Sequence, residues 1–248
     1  MVITSHDNAR IAEIAKLSHK KYRRQMRRYV IEGARLVSDA LRHGARVVAV
    51  YVSESAASQF NFDNQVVVAD RVFDKIADTV STQGVLAVVE MSASDIVSPT
   101  GNCLVLDGLQ DPGNVGTLIR TAAACGFTDV YAVNSVDVYS PKVLRAAMSA
   151  HFCVRLHEVD SIEDTFALLD GCDIVCADMG GTNVFEAEFS AKTALVVGNE
   201  GNGLSDYAKS CANRTVALPM SNGFESLNAA VAGSVVMYQI FSKSNKRR

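Results

Sequence analysis

The sequence predicts an α/β fold in two units, the second built on a mostly parallel sheet. Three observations carry that prediction. Short β-branched or wholly apolar runs, such as "RVVAVYVSE", "CLVLDG" and "TALVVGNEG", alternate with segments of helical periodicity. The later runs are apolar throughout, as strands covered on both faces are. Between the two series lies "SASDIVSPTGN", Ser92 to Asn102, whose Ser, Pro, Thr, Gly and Asn content reads as a linker. The expected domains are residues 1–93 and 94–248, sizes at which each can hold its own core.

In the first unit, "NARIAEIAKLSHKK" places Ile11, Ile14, Ala15 and Leu17 at helical spacing, with Asp7 or Asn8 available as cap. "YVIEG" follows as a strand and "GARLVSDALRHG" as a helix closed by Gly44. "RVVAVYVSE", "QVVVAD", "RVFDKIAD" and "VLAVVEM" continue as strand, strand, helix and strand. In the second unit, "CLVLDG" is a strand and "NVGTLIRTAAACG" a helix ending at Gly126. "DVYAV" is a strand, "SPKVLRAAMSA" a helix from Pro141, "VRLHEV" a strand and "SIEDTFALLDG" a helix. "CDIVCAD" and "TALVVGNEG" are strands, "LSDYAKSCA" a helix and "RTVALPM" a strand. The last helix is expected from about Glu225 to Ser242.

Composition narrows the function classes. No apolar run is long enough to span a bilayer, and no charged segment followed by an apolar one marks a signal peptide at the N-terminus. The six Cys lie inside apolar strings, without zinc-ligand spacing beside a His. They read as reduced thiols of a cytoplasmic protein. The net charge of −3 hides an asymmetry. Residues 1–95 carry 13 Lys/Arg against 11 Asp/Glu, and the remainder 11 against 16. "KLSHKKYRRQMRR" concentrates seven bases, Lys16, Lys20, Lys21, Arg23, Arg24, Arg27 and Arg28, with no acid. Such a field attracts a polyanion, and the alternative is a solvated helix face.

Three polar, Gly-bearing segments fall at the carboxyl ends of predicted strands, where open α/β sheets bind ligands. They are "DGLQDPGNVGTLIRTAAACG", "VVGNEGNGLS" and "LPMSNGFESLNAAVAG". Singly, each reads as a turn or tight connection, with Asn114 an ordinary helix cap. "GNEGNG" has neither the spacing of a dinucleotide fingerprint nor the Lys-Ser/Thr of a phosphate loop. Together they predict one composite pocket offering Asn114, Arg120, Glu200, Ser226 and Asn228. Arg120 stands among Leu118, Ile119 and Ala122–Ala124, a costly place unless the guanidinium finds a partner. No His lies in these segments, which leaves His-based acid–base chemistry unsupported, and a single Glu without clustered acids disfavours a metal.

"NVGTLIRTAAACG", "VVGNEGNGLS" and "LPM…ESLNAAVA" resemble, in order and spacing, the three motifs of the SpoU/TrmH-type RNA 2′-O-ribose methyltransferases of the SPOUT superfamily. The resemblance covers about Asn102 to Ser242. Residues 1–93 resemble, more loosely, the ribosomal-protein-like substrate-binding domain fused ahead of some 23S rRNA methyltransferases. The resemblance implies a C-terminal trefoil-knot domain, S-adenosylmethionine bound at the knot, and a homodimer with active sites near the subunit interface. It implies methylation of a ribose 2′-hydroxyl in RNA, with rRNA favoured over tRNA and neither metal nor membrane involved. It assigns Arg120, Asn114, Glu200, Ser226 and Asn228 to catalysis. Val197, Gly198, Asn199, Gly201, Gly203, Leu218, Pro219, Met220 and Leu227 are assigned to the cofactor. Arg120 is expected to grip the phosphate beside the target ribose, oriented with the ribose by Asn114, Ser226 and Asn228. Glu200 is expected to shape its loop and pair with a neighbouring base. The seven bases of Lys16–Arg28 are then an RNA-binding surface. The chain departs from the family pattern at Asn222, where Gly is usual, and at Ala230, where Ser is usual and a helix-start hydroxyl is lost. Those departures lend some support to the alternative, a non-catalytic RNA-binding or ribosome-assembly protein that keeps the fold, while intact Asn114, Arg120, Glu200, Ser226 and Asn228 favour the enzyme. A nucleotide-binding α/β enzyme without RNA is the remaining rival.

Overall fold

The computed structural model describes residues 2–92, 96–222 and 226–245. By internal contacts the chain divides into a unit of residues 1–93 with Tyr139–Leu144, and a unit of residues 94–138 with 145–248.

The first unit runs β1 (Val2–Ile3), α1 (Ala9–Lys16), α2 (Lys20–Met26), β2 (Arg28–Glu32), α3 (Ala34–Arg42), β3 (Val47–Ser53), β4 (Val66–Val68), α4 (Asp70–Ile76) and β5 (Val85–Glu90). The sheet order is β1-β4-β3-β5-β2; β1, β4 and β3 are parallel, and β5 is antiparallel to β3 and β2. Asn8, not Asp7, caps α1, its side chain accepting from the Arg10 N–H at 3.0 Å. The periodic residues Ile11, Ile14 and Leu17 are buried with Tyr51, Val72, Phe73 and Leu86 in one core. Gly44 follows α3 with φ +70°, the left-handed conformation that stops a helix.

Two elements here escape the periodicity reading. β1 has two residues and too little pattern to register. α2 is made of the basic stretch itself, and its burial falls on an unexpected side chain. Arg23 is 4% exposed, and its Nη1 donates to the carbonyls of Leu17 and Ser18, each at 2.7 Å. Those carbonyls lie at the open end of α1, so the guanidinium serves as a C-terminal clamp. Arg23 therefore leaves the set of bases facing solvent. Arg28 is half-buried and pairs with Glu13 at 2.7 Å. Arg27 donates to the Ser92 carbonyl. Lys16, Lys21, Arg24 and Arg27 are exposed and Lys20 partly so.

Beyond residue 94 the chain runs β6 (Cys103–Asp107), α5 (Pro112–Ala124), β7 (Asp129–Val133), α6 (Pro141–Ala147, divided between the units after Leu144), β8 (Arg155–Val159), α7 (Ile162–Ala167), β9 (Asp173–Asn183), β10 (Thr193–Gly198), α8 (Asp206–Cys211), β11 (Arg214–Ala217) and α9 (Ala229–Asn245). The sheet of the second unit has the order β11-β9-β10-β6-β7-β8, and every pairing is parallel. The wholly apolar strands are buried along their length, as two-sided cover requires. β9 extends beyond "CDIVCAD" to Asn183. β11 pairs with it twice, first at Val175–Cys176 and again at Thr182–Asn183. Between those pairings Gly181 lies so close to β11 that a Cβ would stand 2.5 Å from the Val216 backbone. The two adjacent glycines, Gly180 and Gly181, mark that approach in the sequence.

At the amino end of β7, Asp129 is fully buried. It accepts from His157 Nε2 at 2.9 Å, Arg155 Nη2 at 2.8 Å and Thr128 Oγ1 at 2.6 Å. The linker is tied to the same place. Gly101 N donates to Thr128 Oγ1, Arg155 Nη2 to Thr100 Oγ1, and the Tyr131 hydroxyl to the Val97 carbonyl. Burial pushes the Asp129 carboxyl up, but donors from His157, Arg155 and Thr128 outweigh it and hold the pKa down at about 2. A carboxyl depressed in the folded state stabilises above its unfolded pKa, and that stability is lost as pH falls through the folded value. The denaturation midpoint is therefore expected to drop between about pH 4 and pH 2. In Asp129→Asn the drop should be shallower, and stability at neutral pH lower by about 3 kcal/mol. Urea titrations at several pH values check both.

Candidate active site

The carboxyl ends of β6, β9, β10 and β11 carry the polar segments, with α5 and α9 supplying the rest. α5 starts at Pro112, and Asp111 rather than Asn114 is its cap, with Oδ1 accepting from the Asn114 N–H at 2.8 Å. Proline at the first helical position draws the start forward by one turn. Asn114 is thereby released from capping, and its side chain is available to the site.

The loop after β10 is folded around Asn199. The backbones of Asn199 and Gly203 exchange two hydrogen bonds at 2.9 Å. The Asn199 Oδ1 accepts from Gly201 N and Asn202 N, and its Nδ2 donates to the Gly108 carbonyl at 2.7 Å. Gly203 adopts φ +70°. Gly198 has no room for a side chain, since a Cβ would stand 2.4 Å from the Gly203 carbonyl carbon and the Leu204 nitrogen. Asp107 completes the anchorage by accepting from Ser205 N at 2.7 Å.

Glu200 projects from this loop and joins the three segments. It accepts from Gln110 N at 3.2 Å, Asp111 N at 3.1 Å and Asn114 Nδ2 at 3.0 Å. Asn228 Nδ2 donates to Asn114 Oδ1 at 2.9 Å, and Asn228 Oδ1 accepts from Ala230 N and Val231 N at the start of α9. Partial burial pushes the Glu200 carboxyl up, but the Asn114 amide and the backbone N–H groups of Glu200, Gln110 and Asp111 prevail and hold it below its ordinary value. The expected basic partner of Glu200 is replaced by these amides. The turn presents N–H groups at hydrogen-bonding distance, and a carboxylate so satisfied needs no cation.

Beside this cluster is a cavity of about 910 Å³. Val197, Gly198, Asn199, Gly201, Gly203, Leu218, Pro219, Met220 and Leu227 all line it, as do Glu200, Ser226 and Asn228. Asn114 reaches the wall through its bonds to Glu200 and Asn228. Arg120 is not brought there. It lies six residues along α5 from Asn114, about 9 Å along the axis and about a third of a turn around it. Its side chain is exposed, on the side opposite the buried Val115, Leu118, Ile119 and Ala122, so the anticipated burial cost does not arise. Among the described residues Arg120 makes no hydrogen bond or ion pair.

Motif reading misses the contribution of β9. Asp178, Met179, Gly181 and Asn183 line the cavity. The Gly-Gly pair beyond "CDIVCAD" was the available signal, a strand end pressed against a neighbouring backbone. The two departures in the third motif find physical accounts. Asn222 has φ +59°, a conformation open to Gly and tolerated by Asn. Ala230 is buried, and its N–H is already satisfied by Asn228, so no hydroxyl is required at that point. Gly223 and Glu225 lie outside the described residues.

The cavity can be tested against an adenosine-bearing sulfonium ligand. Gly181 and Gly198, where a Cβ would collide with backbone, let main chain form the wall at close quarters. The described lining contains the acids Asp178 and Glu200 and no Lys, Arg or His. That lining sets no positive charge against a sulfonium, and Leu218, Pro219 and Leu227 give apolar cover for a base. Among the described residues no group of three or more His, Cys, Asp or Glu gathers to hold a metal. No helix of the described residues is long and apolar enough to cross a membrane.

Comparisons with known proteins show the family of the chain. The profile of the SpoU rRNA Methylase family matches residues 101–238, and that of the MRM3-like substrate binding domain matches residues 8–87. An uncharacterized tRNA/rRNA methyltransferase of Synechocystis is 30% identical, over 96% of this chain and 92% of its own. The 23S rRNA (guanosine(2553)-2′-O)-methyltransferase of Bacillus subtilis is 29% identical, over 96% of this chain and 98% of its own. The crystal structure of a SpoU methyltransferase from Streptomyces viridochromogenes in complex with AdoMet superposes with a TM-score of 0.86. Its identity is 26%, over 97% of this chain and 100% of that one.

Proposed function

The chain belongs to the SpoU rRNA methylase family, and from that premise we propose that it transfers a methyl group from S-adenosylmethionine to a ribose 2′-hydroxyl of ribosomal RNA. One observation carries the proposal. The second and third segments, with the end of β9, line one Gly-walled cavity, and Glu200 and Asn228 on its wall bind Asn114 of the first segment. S-adenosylmethionine, when bound, supplies an electrophilic methyl group on a sulfonium. The protein's share is mainly positioning. The backbone at Gly198 and the side chains of Leu218 and Leu227 hold the adenosine part. Asn114, Ser226 and Asn228 orient the target ribose. Arg120 lies outside the cavity and takes the phosphate beside that ribose, stabilising charge that develops on the oxygen. Glu200 acts on the loops rather than the substrate, since amide donors already occupy it.

Residues 1–93 form the RNA-binding domain in this reading and 94–248 the catalytic one. Lys16, Lys20, Lys21, Arg24 and Arg27 supply phosphate contacts, which position RNA without reading its sequence. We extend the proposal to a trefoil knot in the C-terminal domain and to a homodimer. Exposed Val231 and Tyr238 on α9, with exposed Met220 and Leu227, support the dimer. The six free thiols suit a reducing compartment, the cytoplasm.

Incubating the protein with rRNA and methyl-labelled S-adenosylmethionine, then digesting the RNA to nucleosides, tests the activity. A labelled 2′-O-methylnucleoside is expected. RNA binding without such a product points instead to the non-catalytic alternative. Affinity for rRNA should fall by about 10²-fold or more between 50 and 200 mM salt, as several phosphate contacts require.

A further inference from the structure

Asp178 stands on the cavity wall but belongs to none of the three motifs. It follows Ala177, which pairs with Val197, and so lies level with Gly198 at the end of β10. Its side chain is about a third exposed, and its Oδ2 is 3.5 Å from Lys209 Nζ of α8. The cavity's other carboxylate, Glu200, is taken by three amide donors. Asp178 has only the long contact to Lys209 among the described residues, which leaves acceptor capacity on both oxygens.

The chemistry of the ligand narrows what Asp178 can take. S-adenosylmethionine presents three sets of donors: the adenine amine, the ribose diol and the α-ammonium. Lys209 already balances the Asp178 charge, so a second cation would compete with the lysine and gain little. Two neighbouring hydroxyls are neutral and match the two oxygens of a carboxylate. We propose that Asp178 binds the ribose diol of the cofactor, with Lys209 holding the carboxylate in position. The assignment rests on the methyltransferase reading above.

Calorimetric titration of the full-length protein tests it, with three ligands: S-adenosylhomocysteine, 5′-methylthioadenosine, which lacks the amino-acid end, and 5′-methylthio-2′-deoxyadenosine, which lacks the diol. Asp178→Ala should weaken the first two by a common factor of about tenfold or more. It should leave affinity for the deoxy ligand within about twofold of wild type. Asp178→Asn, which preserves shape, should lose less but in the same pattern, and carries the test if the alanine variant fails to fold. Lys209→Ala should cost no more than about threefold. Unchanged affinity for the first two ligands overturns the assignment. A loss confined to S-adenosylhomocysteine does so too, because it places Asp178 on the ammonium. An equal loss with the deoxy ligand also overturns it, because the carboxylate would then be structural. A wild-type protein that binds neither S-adenosylhomocysteine nor 5′-methylthioadenosine overturns the methyltransferase reading itself, and the Asp178 assignment with it.

Discussion

Arg120→Ala is expected to lower methyl-transfer turnover by about 10²-fold or more while affinity for S-adenosylmethionine stays within about twofold. The separation follows from position. Arg120 lies on the exposed side of α5 and does not line the cavity, so its loss removes nothing from the cofactor's walls. What it removes is a guanidinium with no partner among the described residues, and therefore one available to RNA. Arg120→Lys keeps a charge but loses the planar fork, and should recover only part of the rate. Single-turnover methylation and calorimetry on the same preparations measure the two quantities. Near-native turnover in both variants would falsify the assignment of Arg120. A parallel loss of cofactor affinity would move the residue into the cavity wall.

The second large effect is expected at Gly198. Gly198→Ala places a methyl 2.4 Å from main-chain atoms of Gly203 and Leu204, and backbone cannot yield as a flexible side chain can. The loop from Asn199 to Gly203 must move, and with it the paired bonds of Asn199 to Gly203 and the seat of Glu200. A destabilisation of about 3 kcal/mol is expected, together with loss of measurable S-adenosylhomocysteine binding. Denaturant unfolding and calorimetry check the two parts. A variant of native stability and native affinity would mean that the loop has slack the structure does not show. Gly201→Ala is the control, because its nearest neighbour to an added Cβ is Asn199 Oδ1 at 3.6 Å, an ordinary contact.

The alternation of strands and helices was legible in the sequence because apolar runs and periodic runs differ in kind. The part of the cavity wall that follows β10 and β11 was legible too, since Gly-rich turns after apolar strands mark a place where backbone comes close to something. Three features were not. The capping of α5 by Asp111 depends on Pro112 setting the helix start, and Asn114 looks equally suitable until that is weighed. The burial of Arg23 is decided by carbonyls left open at the end of α1, which no count of charges reveals. Asp178 belongs to a strand whose outer half pairs only through an irregular register with β11. The first two are settled by neighbours within a few residues and the third by the pairing of distant strands, and none shows in the periodicity of apolar residues.

The carboxylate of Glu200 and the amides beside it also bear on when the site comes into being. The bonds that assemble it join residues 90, 89, 86 and 114 positions apart. No local stretch of chain can make any of them early, and every one must wait for long loops to close. Asn228 stands just before α9, so the cluster is complete only when α5, the loop after β10 and the start of α9 are docked together. The wall of the cavity is thus a product of long-range docking rather than of local structure. Occupancy of the cavity therefore reports the docking of distant loops, not the formation of any single helix or strand.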